Sequence, residues 1–72
     1  MKRNIRFRSM KEIVRFVNKA SKCKGSVVVK AKDKKVSGKA MIGMLSLDLT
    51  KEVTVQFDEQ NKEFDEFTSN MV

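Results

Sequence analysis

The chain of 72 residues contains no histidine, proline, tryptophan or tyrosine, one cysteine and three glycines. Each absence removes a class of chemistry. Without histidine there is no Cys/His metal set of recognisable spacing and no imidazole to serve as a base or nucleophile near neutral pH. Cys23 alone cannot close an internal disulfide, which fits a reducing cytosol. No Pro-rich or Gly-rich stretch, internal repeat or low-complexity segment divides the chain, so residues 1–72 read as a single domain. The opening "MKRNIRFR" is charged and has no apolar h-region, and no run approaches the ~18 apolar residues of a membrane span. A cytoplasmic, unexported protein without membrane insertion is therefore expected. A domain of this size buries only ~60% of its unfolded surface, so one small core must carry its stability.

What the sequence does have is charge, unevenly placed. The net charge is +7. Residues 1–40 hold fourteen Lys/Arg and two Asp/Glu, a net +12, and residues 41–72 hold two and seven, a net −5. A basic half attracts acidic partners, whether protein, nucleic acid or a membrane surface, or simply keeps a small domain soluble. A basic and an acidic half are also compatible with pairing between two copies, through the exposed first strand among other routes.

The apolar pattern alternates between the two regular periods. In "NIRFR", Ile5 and Phe7 alternate with Asn4, Arg6 and Arg8, the pattern of a half-buried strand. "SMKE" places Glu12 three residues after Ser9, a capping box opening a helix whose apolar stripe is Met10, Ile13, Val14, Val17 and Ala20, widened by Phe16 and Cys23. "KCKG" then closes this helix with cations and Gly25. "SVVVKAKDKKVSG" reads as a hairpin with Val27, Val29 and Ala31 inward, a polar turn near Asp33, and Val36 returning to the core. "KAMIGMLSLDL" reads as a short helix in which Met41, Met44, Leu45 and Leu47 cover more than one face. "EVTVQF" is a strand with Val53, Val55 and Phe57 inward, and Phe64, Phe67 and Met71 mark a last helix with an acidic first turn.

The order is β-α-β-β-α-β-α. One-sided strands between amphipathic helices predict an α+β domain: a four-stranded antiparallel sheet with three helices on one face and the other face open. The alternation places a basic surface of Arg6, Arg8, Lys30, Lys32 and Lys35 on that open face, beside Thr54 and Gln56. The five phenylalanines fall on core or helix positions, so a nucleic acid there would be held by phosphate contacts rather than base stacking.

From Phe16 to Phe57 the chain resembles the HPr family, the histidine-containing phosphocarriers of the bacterial sugar phosphotransferase system. "KAMIGMLSLDL" is similar to the Gram-positive pattern of Lys-Ser, a Met/Ile/Gly-rich helix and Ser-Leu-Gly-Ile/Leu. "RFVNKASK" resembles the family's first helix and "GSVVVKAKDKKVSGKA" its central hairpin. The resemblance implies an open-faced β-sandwich in the same element order. It also implies positions that this sequence has changed. The family's phosphorylated histidine falls on Ser9, its arginine on Lys11 and its proline on Glu12, with the preceding loop shortened, and its regulatory serine falls on Ala40. Two family glycines are replaced by Asp48 and Glu52.

A neutral imidazole forms a high-energy phosphoramidate that is readily passed on, whereas a serine hydroxyl would give a stable ester. Ser9 is expected to cap its helix instead. What the resemblance leaves intact is docking: carried over by position, the family's partner-binding patch becomes Lys11, Met41, Ile42 and Leu45. The plain alternative is that Met41, Met44 and Leu47 are core and only Ile42 and Leu45 project. No nucleophile and base can be paired, so neither catalysis nor a cofactor or metal is expected, and Cys23 reads as a core thiol. Lys11, Arg15, Lys19 and Lys22 read as a solvated helix edge, or more sharply as a stripe for phosphate or acidic groups.

The expectation is an HPr-like protein, not a competent phosphocarrier, that binds phosphotransferase proteins or a transcriptional regulator. The alternatives are a small basic nucleic-acid-binding module, and a diverged relative with an unrelated role.

Overall fold

The computed structural model describes residues 1–32, 34–48 and 51–71. The elements are β1 (Lys2–Ile5), α1 (Met10–Ala20), β2 (Val28–Lys30), β3 (Lys35–Ser37), α2 (Met41–Leu45), β4 (Val53–Gln56) and α3 (Lys62–Ser69). The four strands form one antiparallel sheet in the order β1-β4-β2-β3. The protein is thus α+β with an open-faced, HPr-like layout: four antiparallel strands and three helices, in the expected order.

Register explains which side chains go inward. Arg3, Val55, Val29 and Val36 stand in one cross-strand row, and Ile5 lies opposite Val53 in the next. Ile5, Val29, Val53 and Val55 are buried and Val36 is half-buried, so this side meets the helices. Period-two side-chain alternation turns the remaining strand residues outward.

The interior is knitted by phenylalanine. Phe7 meets Phe16 edge-on at 5.2 Å, Phe16 meets Phe64 at 5.2 Å, and Phe64 meets Phe57 at 5.0 Å, a chain linking the β1–α1 connection, α1, α3 and the end of β4. Each such pair is worth about 0.5–1.5 kcal/mol beyond the area it buries. Gly38 completes the packing from the other side. A Cβ on it would stand 2.6 Å from Val27 Cγ1 and 3.1 Å from Phe16 Cε1, so only a hydrogen fits.

Several boundaries differ from the periodicity. The first strand is Lys2–Ile5 rather than Asn4–Arg8, because β4 supplies partners only from Val53 onward and the Lys2–Gln56 end of the pairing extends the strand backwards instead. Phe7 follows the strand and is still buried. Helix α1 ends at Ala20 with Ser21 as C-cap, several residues before Gly25, whose φ of +77° turns the chain toward β2. Helix α2 stops at Leu45, and Leu47 is buried beyond its end. The expected hairpin tip at Asp33 and the last expected residue of the second helix, Leu49, lie outside the described residues. Ala31 N–H donates to the Lys34 carbonyl at 2.7 Å across that turn.

Candidate functional site

Ser9 is the N-cap of α1. Its backbone is extended (φ −160°, ψ 166°) and its Oγ accepts from Glu12 N–H at 3.4 Å. Glu12 reaches back in turn, but Oε1 accepts from Arg8 N–H, one residue before the cap. The box therefore fixes the turn between Phe7 and the helix. Ser9 acts here through its hydroxyl as an acceptor for a backbone donor that the first turn would otherwise leave unpaired.

Beside this helix start lie exposed apolar side chains of two helices, α1 and α2. On α1 the buried positions are Ile13, Phe16, Val17 and Ala20. The Phe16 flank is the one that meets α3, since Phe16 contacts Phe64 and Lys19 Nζ stands 6.0 Å from the Phe67 ring. At 100° per residue the opposite flank carries Met10 and Val14, with Lys11 above them. On α2, Met44 points into the core and Gly43 lies against Val36 of β3, so the flank away from β3 carries Met41 and Leu45, with Ile42 on top. Helices α1 and α2 are packed neighbours.

Ile42 is 88% exposed, Met10 49%, Val14 40% and Leu45 40%. Among the expected docking residues, Ile42 and Leu45 thus project, Lys11 is exposed on the adjoining helix, and Met41 is half-buried against the core. Met10 and Val14, read from periodicity as core, instead join the exposed group. They sit at the edge of the apolar stripe, which is the signal that could have marked them as border positions.

Ala40 is the N-cap of α2 and has no side-chain cap. Its carbonyl accepts from Met44 N–H at 3.0 Å. The nearby Ser37 hydroxyl lies on β3 and accepts from Lys39 N–H at 3.2 Å, so it is not placed at the start of α2.

The open sheet face has a different membership from the one expected. Lys2, Gln56, Val28 and Ser37 form one cross-strand row, and Asn4, Thr54, Lys30 and Lys35 the next. Lys30 and Lys35 stand directly opposite each other, and Thr54 Oγ1 donates to Asn4 Oδ1 at 2.8 Å. Arg6 and Arg8 lie beyond β1, Arg6 just past its end and Arg8 before the α1 cap, while Lys32 is in the hairpin turn; all three are exposed. Lys2 was missed because shifting the strand by two residues changes which cations belong to it.

Two further residues were invisible to the pattern. Arg3 lies on the helix side, its Nη1 2.6 Å from Asp65 Oδ1 of α3 and 3.2 Å from Thr68 Oγ1. Thr68 is fully buried and its hydroxyl donates to the Phe64 carbonyl at 3.0 Å. Cys23 is half-buried, with Sγ 3.6 Å from the Lys19 carbonyl. Burial pushes its thiol above the ordinary value, partly offset by the charge of Lys39.

Among the described residues no group of three or more Cys, Asp and Glu could hold a metal ion, and no helix is long and apolar enough to cross a membrane. The sequence matches no family model and no curated protein.

Proposed function

We propose that this chain is a divergent HPr-like protein that has exchanged phosphotransfer for protein binding or regulation. The observation that carries the reading is the exposure of Met10 and Val14 on α1 and of Ile42 and Leu45 on the neighbouring α2, with Lys11 also exposed on α1, on a fold laid out like that of the family it resembles. Singly scattered exposed hydrophobics are ordinary, but four exposed apolar side chains on two neighbouring helices, with a cation on one of them, form a surface suited to a partner. The family resemblance gives the partner class: proteins of the sugar phosphotransferase system, or a transcriptional regulator that reads it.

Loss of relay chemistry is the second half of the reading. Ser9 stands where the family carries its histidine, and its hydroxyl is occupied as a helix cap. Ala40 stands where Gram-positive relatives carry the regulated serine, leaving no hydroxyl there to modify.

The test uses purified enzyme I and a true HPr. With phosphoenolpyruvate, enzyme I should leave this chain unphosphorylated while phosphorylating HPr. Excess chain should nevertheless slow transfer to HPr, and the Ile42→Asp, Leu45→Asp variant should lose that inhibition. Phosphorylation of this chain on the assay timescale overturns the first statement. Absence of binding at micromolar concentration to enzyme I, to the sugar-specific acceptor domains and to an HPr-recognising regulator overturns the second.

A further inference from the structure

The face of the sheet opposite the helices has no role in that reading, yet its composition is lopsided. None of the described strand residues is acidic: β1 is KRNI, β2 VVK, β3 KVS and β4 VTVQ. Turned outward are Lys2, Lys30 and Lys35, together with Asn4, Ser37, Thr54, Gln56 and Val28. Lys30 and Lys35 are directly opposed on adjacent strands, an arrangement of like charges that costs stability.

The cations extend past one end of the sheet. Strands β1 and β2 both run antiparallel to β4, so Arg6 after β1, Lys32 after β2 and Lys51 before β4 emerge at the same end. Lys32, Lys34 and Lys51 line a cleft there with Ser46, Leu47 and Asp48, and Glu52 is exposed beside it. Asp58 and Glu59 are exposed after β4 at the opposite end, Asp58 beside Val28 and Gln56, while Glu63, Asp65 and Glu66 belong to α3, on the helix side.

We propose that this open face binds single-stranded nucleic acid through its phosphates, without base preference. A phosphate backbone brings negative charge to the opposed Lys30 and Lys35 and to Lys2, while Asn4, Ser37, Thr54 and Gln56 supply polar groups for phosphate and sugar. Base reading is excluded by the core: Phe7, Phe16, Phe57 and Phe64 are buried and Phe67 is half-buried, so the face offers no stacking platform. An anionic membrane is the poorer match, because the only apolar residue among the outward strand positions is Val28, itself half-buried. Among the described residues no helix lies on this side to enter a duplex groove.

The probe is a fluorescently labelled oligothymidylate, titrated by anisotropy with the full chain. Contact with about four phosphates gives a slope of log affinity against log salt near −3, so binding weakens about 50-fold between 50 and 200 mM salt. Oligoadenylate should bind within a few-fold of oligothymidylate. The Lys30→Glu, Lys35→Glu variant should lose at least ten-fold in affinity at low salt. A Lys22→Glu, Lys24→Glu variant, with the same net charge but altered at the end of α1, should stay within two-fold of the native chain. A neutral Lys30→Gln, Lys35→Gln variant, checked for unchanged circular dichroism, guards against loss of fold and should also weaken binding. Equal losses in the sheet and α1 variants would overturn the assignment, as would a sheet variant that binds normally. Tighter binding to phosphatidylserine vesicles than to the oligonucleotide, lost in the sheet variant, would also overturn it in favour of a lipid surface.

Discussion

Arg3 of β1 and Asp65 of α3 form an ion pair across the helix side of the sheet, Nη1 to Oδ1 2.6 Å, with side chains 22% and 32% exposed. The same guanidinium donates to Thr68 Oγ1, whose own hydrogen goes to the Phe64 carbonyl. One long side chain thus ties an edge strand to the last helix, in a row whose other members are Val55, Val29 and Val36.

Removing the guanidinium leaves the partly exposed Asp65 carboxylate and the buried Thr68 hydroxyl without their donor. Arg3→Met should lower stability by about 1–3 kcal/mol, less than for a fully buried pair because water still reaches the Arg3 and Asp65 side chains. Urea unfolding gives the number. Arg3→Met combined with Asp65→Leu should recover part of the loss, since no charge is then left without its partner.

At Ser9 the hydroxyl acts as a helix cap, and its replacement should be felt as a cap is felt. Ser9→Ala should cost about 1 kcal/mol and Ser9→Gly only a few tenths, by the same unfolding measurement. Equal effects of the two substitutions would argue against capping as the reason for the serine.

The two sides of α2 should separate sharply. Met44 is fully buried, and Met44→Ala should cost about 2–5 kcal/mol. Ile42 is 88% exposed, and Ile42→Asp should change stability by no more than about 0.5 kcal/mol. Thermal melts of the two variants test whether α2 presents one face inward and one to a partner, and they license the use of Ile42→Asp in binding assays.

The Cys23 thiol is held above its ordinary value chiefly by burial, with Lys39 pulling it partly back. The unfolded chain releases this proton at lower pH than the folded one. The contribution to stability is therefore complete below the unfolded thiol's titration and is lost as pH rises through the folded one. The native chain should lose more stability than Cys23→Ala between about pH 8 and pH 10, seen as a larger fall in the urea midpoint. At neutral pH, Cys23 should alkylate more slowly with iodoacetamide than in the urea-unfolded chain.

How far the sequence carries can be seen residue by residue. Alternation in "EVTVQF" sent Val53, Val55 and Phe57 inward, and all three are buried. Ser9 and Glu12 announced the start of α1 through a local interaction that needs no distant partner. The missing histidine follows from the sequence itself, and the element order was legible because each element states its own period. Tertiary structure decided what lies against each face. Periodicity places Met10 and Val14 beside Val17, but α2 spans only five residues, about 7 Å of axis, and leaves them uncovered beside the longer α1. The two-residue shift of β1 came from pairing with β4, about fifty residues away in the chain, and with it Lys2 joined the open face while Arg3 turned inward to Asp65. A side chain's period is fixed by its neighbours in sequence. Whether its face is buried, paired or open is fixed by elements that meet it only when the chain has folded.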